Sequence, residues 1–316
     1  MGNIHDIARL AGVSASTVSR VLNNHPYVST EKRQAVLDAA EQLHYEKNIN
    51  AVHLSRGKTE TIGVILPYVN HPYFGTILSG IAAAAEENGF KLMIVQTKYD
   101  VNQEIDALNM MKLKQVDGLI ITSRECPIEM VEDYSTYGSI VLCEAWTGSQ
   151  MSSVYINHFK AFKEAITFLK DRGHSKIGYT IVRVDGKSSI ARRNAYEEVF
   201  HYVRDEWVFD NSLTIEDGVR VAGEWKELEK RPTAMLITND FVAAGFILEC
   251  RRLGFQIPGD VAVIGFDNHP IAAPLGITTI DLPLQRLGEI AFQQAISPTE
   301  ITHQEVPFTI VKRESV

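Results

Sequence analysis

The 316-residue chain is longer than one typical domain, with 45 % hydrophobic and 22 % charged residues and a formal net charge of −8. This composition excludes a disordered chain and predicts two or three folded domains with room for sizeable cores. No apolar run is long enough for a bilayer span, and residues 1–25 lack the apolar stretch of a signal peptide. Cys126, Cys143 and Cys250 are far apart and odd in number, which fits reduced, buried thiols better than a disulfide framework or a metal site. The acid excess argues against a whole-surface interaction with nucleic acid, but it is uneven. Residues 1–57 carry six Lys/Arg against five Asp/Glu, so only the head is suited to approach phosphate.

Asn3 can cap a first helix, with Asp6 in the capping-box position. Ile4, Ile7, Ala8 and Ala11 keep the spacing of one buried face, and Gly12 follows where a left-handed residue would end the helix. Ser14 can cap a second helix at once, with Val18, Val21 and Leu22 inward. A third is predicted from Ser29, with Val36, Ala39, Ala40 and Leu43 inward. Two short helices joined by a tight glycine turn make a helix-turn-helix. The outer face of the second offers Ala15, Ser16, Ser19 and Arg20, with Thr17 at its edge. Small hydroxyl residues allow close approach to phosphates, and an arginine can grip a guanine edge with two bonds. The competing account is a solvated three-helix domain whose Ser and Thr are only caps.

The run Ala11-Gly12-Val13-Ser14-Ala15-Ser16-Thr17-Val18-Ser19-Arg20-Val21-Leu22-Asn23, within Ile4–Asn23, closely resembles the head of the LacI/GalR repressor family. Val28-Ser29 and Leu43-His44-Tyr45 continue the match. The resemblance implies that Ala15, Ser16 and Arg20 read bases, and that Ser14, Thr17, Ser19 and Asn23 contact phosphate or groove. It also brings His25, in the following loop, near DNA. Ala51 and Leu54 would be contacts of a linker helix in the minor groove, where a leucine can wedge between base pairs. The linker departs from the family string: Lys47 stands for a proline and Val52 for an arginine, leaving Arg56 and Lys58 as substitute phosphate contacts.

From Thr61 onward, apolar runs alternate with amphipathic stretches. Ile62–Pro67, Lys91–Val95, Asp117–Ile121 and Ile140–Cys143 form one set; Lys176–Ile181, Ala234–Thr238 and Val261–Phe266 form another. A helix is expected from about Gly75 to Asn88. Strands apolar along their whole length and separated by helices predict two parallel sheets covered on both faces, with a ligand cleft at the strands' carboxyl ends. No phosphate-binding glycine string and no nucleophile–base spacing follows any strand, so no catalytic residue, cofactor or metal site is expected. His269 reads as a structural loop histidine.

This body, from Thr61 to Ser315, resembles the effector domain of the same family, which shares its fold with periplasmic sugar-binding proteins. Asn70-His71-Pro72-Tyr73-Phe74, Thr238-Asn239-Asp240 and Ile264-Gly265-Phe266-Asp267-Asn268 are among the matching stretches. The resemblance implies an effector cleft using Tyr73 and Phe74 on the first lobe and Arg192, Asn239, Asp240 and Asp267 on the second. For Asp267 a loop-stabilising role is an equal alternative. Three departures bear on the ligand. Ala195 replaces a glycine, Asn157-His158 replace the Asp-Asn that ends a Val-x-x-Asp-Asn string begun at Val154, and the position where relatives place a stacking aromatic falls near Leu213.

The chain therefore reads as α/β: a three-helix helix-turn-helix head plus two doubly wound parallel-sheet lobes of the periplasmic-binding-protein type. The expected division is a head at 1–47, a hinge at 48–58 and a body at 59–316. The first lobe would take about 59–157 plus 284–304, and the second about 158–280 plus the C-terminal strand. The expected function is a cytoplasmic, nucleoid-associated repressor that binds a palindromic double-stranded operator as a homodimer. Its switch would be a sugar or sugar phosphate or, as in the Gram-positive catabolite-control branch, a phosphorylated carrier protein of sugar transport. No membrane partner is expected. A solute-binding protein without a DNA role is the alternative, which the helix-turn-helix string disfavours.

Overall fold

The computed structural model describes residues 3–23, 25–45, 57–297 and 300–316. The chain divides into two compact units, Met1–Thr59 and Glu60–Val316. Ala51 and Leu54, with the rest of 46–56, lie outside the described residues.

In the first unit, α1 (Ile4–Leu10), α2 (Ala15–Leu22) and α3 (Thr30–Gln42) pack around Ile7, Val18, Val21 and Val36. Asn3 and Asp6 form the capping box that the sequence predicts, and Gly12 takes φ +64° between α1 and α2. Ser14 caps α2 by accepting from the Thr17 amide at 3.2 Å. Ser29 stands at the α3 N-cap without making a side-chain cap bond.

The second unit holds two six-stranded sheets built to one plan. In the first, β1 (Thr61–Leu66), β2 (Lys91–Gln96), β3 (Gly118–Ile121), β4 (Ser139–Leu142), β5 (Ser152–Tyr155) and β11 (His303–Glu305) lie in the order β2-β1-β3-β4-β5-β11. In the second, β6 (Ile177–Thr180), β7 (Val208–Phe209), β8 (Ala234–Leu236), β9 (Ala262–Phe266), β10 (Thr278–Asp281) and β12 (Thr309–Val311) lie in the order β7-β6-β8-β9-β10-β12. All pairings are parallel except β10 with β12, so the second sheet ends in one antiparallel edge. Both orders reverse direction beside their first strand, between β1 and β3 and between β6 and β8. Neighbouring helices there leave on opposite faces, and a crevice opens at the strand ends.

Two further differences from the sequence reading have local causes. The helix expected from Gly75 begins at Pro72, because proline at the first helical position loses no needed donor. The segment Lys91–Gln96 is not covered on both faces. As an edge strand it leaves Met93 and Ile94 at 36 % and 47 % exposure.

Each sheet carries one helix pair in unusually close contact. On the first, α4 (Pro72–Glu87) meets α11 (Leu284–Ala295), separated in sequence by α5 (Val101–Lys112), α6 (Ile128–Asp133), α7 (His158–Lys170), α8 (Lys187–Phe200), α9 (Ile215–Glu227) and α10 (Asp240–Arg252). A Cβ on Gly80 would lie 2.0 Å from the Gln285 carbonyl oxygen, and one on Gly288 would lie 2.1 Å from that of Ile77. On the second, α9 meets α10: a Cβ on Gly218 would lie 2.1 Å from the Val242 oxygen, and one on Gly245 2.0 Å from that of Ile215. These contacts are backbone to side-chain position, so no rotamer change relieves them.

Gly245→Ala is therefore expected to destabilise the body despite a helix-propensity gain of about 1 kcal/mol. The helices must separate, and overpacking costs about 1–3 kcal/mol or more. Urea unfolding checks it; an unchanged or raised midpoint would mean that the pair parts freely.

Candidate DNA-reading face and ligand cleft

On α2, burial of Val18 and Val21 against the three-helix core turns the opposite side outward. Ser14, Ser16, Arg20 and Asn23 are exposed; Ala15, Thr17 and Ser19 are half-buried beside them. The Ser14 hydroxyl lies 2.8 Å from that of Ser16 and 2.9 Å from that of Thr17, so three hydroxyls cluster at the helix N-terminus. Helix N-termini and hydroxyls together favour phosphate oxygens. The following loop is fixed as well: the His25 amide donates to the Arg20 carbonyl, and Arg33 on α3 donates to the His25 carbonyl at 2.7 Å. Eight of the ten predicted DNA contacts thus come together on one surface; Ala51 and Leu54 lie outside the described residues.

In the body, the carboxyl ends of β1, β3, β4, β6 and β8 face one cavity of about 340 Å³, within the usual range for small-molecule sites. Two equivalent ties fix its floor. The Thr122 hydroxyl donates to the Ile65 carbonyl at 3.0 Å, and the Thr238 amide donates to the Thr180 hydroxyl at 2.7 Å. Tyr73 and Phe74 form one wall, their rings edge-on with centroids 5.2 Å apart. Burial pushes the Tyr73 phenol up and holds it neutral. Leu213 lines the opposite lobe, so no aromatic stacks there.

Arg192, on α8, is 6 % exposed. One guanidinium nitrogen donates to the Thr238 carbonyl at 3.2 Å, the carbon lies 4.7 Å from the Phe266 ring centre, and Nε has no partner. Desolvation pulls its pKa down to about 10, so it stays charged at neutral pH. Asp267 lines the same cavity at 9 % exposure with φ +92°, a region that L residues rarely adopt. Burial first, then Asp240, raises its carboxyl well above the ordinary carboxylate range, while Arg192 opposes the rise. The two groups form no ion pair. His158, on α7, also lines the cavity; its Nδ1 is buried without a partner, and burial lowers its pKa to about 3.

Two predicted residues are placed differently from the rest. Asn239 reaches the cavity lining, but its amide caps α10 through the Phe241 and Val242 amides and donates to the Leu213 carbonyl. Asp240 does not line the cavity. It is fully buried behind it, accepting from the His269 amide at 2.7 Å, in space that exists only because residue 265 is glycine. Its backbone position at the helix start turns the carboxylate toward β9 and away from the cleft. His269 is likewise structural, its ring edge-on to Phe241.

The sequence reading missed Arg124, Glu144, Arg183 and Lys187, which line the cavity. A usable signal existed. Arg124, Glu144 and Arg183 lie within three residues after β3, β4 and β6, where the topology puts ligand contacts.

Residues 3–48 match the model described as bacterial regulatory proteins, lacI family. Residues 59–310 match that of periplasmic binding proteins and sugar binding domain of LacI family. The chain belongs to the LacI family. It is 40 % identical to the HTH-type transcriptional regulator YkvZ of Bacillus subtilis over the whole of both chains. It is 39 % identical to catabolite control protein B of the same organism, over 92 % of this chain and 93 % of that one. The lac repressor dimer bound to operator and the anti-inducer ONPF superposes with a TM-score of 0.83 at 22 % identity, covering 99 % and 98 % of the two chains, which shows a shared fold. This LacI-family member is thus a DNA-binding transcriptional repressor with an effector-binding-type body; its relatives are regulators and not enzymes. No helix among the described residues is long and apolar enough to cross a membrane.

Desolvation pushes Asp240 up to about 7 from its ordinary 3.8. A raised folded-state pKa contributes stability that is complete below the unfolded value and is lost as pH rises through the folded one. Asp240→Asn removes this loss. Its melting temperature, relative to the parent, should rise between about pH 4 and pH 7 and then level off. A constant difference across that window would show that Asp240 titrates normally.

Proposed function

We propose that this repressor works as a homodimer on a near-palindromic operator, inserting α2 of each head into successive major grooves. The division of labour would be a head at 1–47, a hinge at 48–58 and a two-lobed body at 59–316. The observation that carries the reading is the outward face of α2, where Arg20 is exposed in the last turn and the Ser14, Ser16 and Thr17 hydroxyls gather at the capped start. Ser14, Ala15, Ser16, Thr17, Ser19, Asn23 and His25 would complete the contact surface, with Ala51 and Leu54 from the hinge. Two-fold symmetry of the protein calls for matching half-sites. The exposed apolar edge strand β2, with Met93 and Ile94, supports pairing of first lobes.

The body would take a sugar or sugar phosphate. Tyr73 and Phe74 offer a flat apolar wall, and Arg192 and Asp267 offer desolvated partners for hydroxyls. Asn239 would contribute through its position, and Asp240 by supporting the wall from behind. Ligand binding would act on the heads through a coupling free energy of about 1–3 kcal/mol. The likeness to a catabolite control protein favours a second reading, in which a phosphorylated carrier protein of sugar transport acts instead of, or beside, a sugar. In either case the protein would act in the cytoplasm, at the nucleoid.

Selection of bound fragments from genomic DNA tests the reading. The parent should enrich a two-fold symmetric site. Arg20→Ala should bind that site about 1–3 kcal/mol more weakly and lose base preference at one position per half-site. Equal weakening on every DNA sequence would instead make Arg20 a phosphate contact.

A further inference from the structure

The mouth of the cleft is crossed by charges from both lobes. Glu144, just after β4, accepts from Arg124 Nε of its own lobe at 2.6 Å and from Lys187 Nζ of the other at 2.7 Å. Arg183, just after β6, donates to Glu125 of the first lobe at 2.9 Å and lies 3.7 Å from the Tyr99 ring centre. Arg124 and Glu125 are neighbours in one loop, 123–127. A second Arg124 bond, to the Cys126 carbonyl, folds the loop on itself.

That loop is held from behind by a buried carboxylate. Glu104 on α5 is 2 % exposed and forms no salt bridge, although Arg124 of the loop attracts it through space. Its oxygens accept the Glu125 amide at 3.0 Å and the Cys126 amide at 2.7 Å. Burial still raises the Glu104 carboxyl above the ordinary carboxylate range despite the two amides and Arg124, and an apolar side chain would fill this helix position without that cost. What the carboxylate adds is a fixed loop. The fixed loop aims Arg124 and Glu125 at the gap between the lobes.

We propose that loop 123–127 is a latch that holds the lobes closed in the ligand-free chain, with Glu104 as its positioning residue. The latch is a bias and not a lock. Lys187 and Arg183 are 58 % and 32 % exposed, so on opening each charge is rehydrated and the net gain from each pair is small. A small bias is what a ligand-driven switch requires, since a ligand can move an equilibrium only by its differential affinity. Each mouth charge is already answered, so closure needs no charge from the ligand. The proposal rests on reading the cleft as the effector site only for its regulatory meaning; closure itself is measured without ligand.

The test places spin labels on the full chain through Asp133→Cys and Glu216→Cys, both exposed and on different lobes, while the native cysteines stay buried. Electron–electron resonance then reads the interlobe distance without ligand. Glu125→Arg or Arg183→Glu alone should lower the closed-to-open ratio by roughly two- to fivefold, and the two together should restore most of it. Glu104→Gln should open the cleft similarly and raise deuterium uptake in the peptide carrying the Glu125 and Cys126 amides. Glu104→Asp gives the same reading if the amide variant does not fold. Distances unchanged by the single reversals, or not restored by the pair, would overturn the latch; unchanged uptake and distance in the Glu104 variant would overturn its positioning role. A latched chain that binds no saccharide counts against the effector reading alone. An unlatched chain that binds one counts against the latch alone.

Discussion

Arg192 and Asp267, each nearly shielded from solvent, face one cavity without meeting, and most of the body can be understood as the means of keeping them there. Burying a charge costs several kcal/mol unless it is paired, and Arg192 has as compensation the Thr238 carbonyl, the Phe162 and Phe266 rings and the attraction of Asp267, with Nε left unpartnered. A cation over a ring returns about 0.5–2 kcal/mol and one charge-assisted hydrogen bond about 1.5–3. The rest must come from a rigid surround. The surround is two sheets with the same strand order, each clamped by a helix pair packed glycine to backbone. Threonine ties at the ends of β1–β3 and β6–β8 fix the cavity floor.

Much of this was legible in the sequence. The capping box at Asn3, the left-handed Gly12 and the Ser14 cap are local decisions, made by residues within three or four positions of one another, and they could be read directly. The apolar runs gave the sheets for the same reason. What could not be read depends on which strands become neighbours. The exposure of β2 follows from its place at a sheet edge, and its sequence is as apolar as that of a central strand. The antiparallel β12 likewise depends on where the chain returns after crossing between lobes. The site divides in the same way. Tyr73, Phe74, Arg192 and Asp267 reach the cavity, whereas Asp240 is one residue along from Asn239 and points behind it. A one-residue difference at a helix start reverses a side chain, and only the backbone path decides which way.

The two halves of the molecule handle charge differently, and that difference fits their tasks. On the head, Arg20 and its neighbouring hydroxyls are solvated and cost little to leave without DNA. In the body, Arg192 and Asp267 line the cavity nearly shielded from solvent, and on the proposed reading a ligand bearing hydroxyls would meet partners that need little reorganisation. The mouth charges Glu144, Lys187, Arg183 and Glu125 are intermediate: paired across the gap, and partly exposed. On the proposed reading, contacting DNA, holding a ligand and latching the lobes would draw on three grades of solvation.

On the proposed reading Arg192 serves a ligand and lowers the stability of the fold that carries it. The direct measurement is the thermal midpoint of ligand-free Arg192→Met against the parent. Methionine has similar length and no charge to desolvate, and replacing buried ions with apolar groups is often stabilising by about 1–4 kcal/mol. A midpoint above the parent's is the predicted result. A midpoint lowered to the extent of a core truncation would show that Arg192 holds the lobe together, and the account of the cleft would then be wrong.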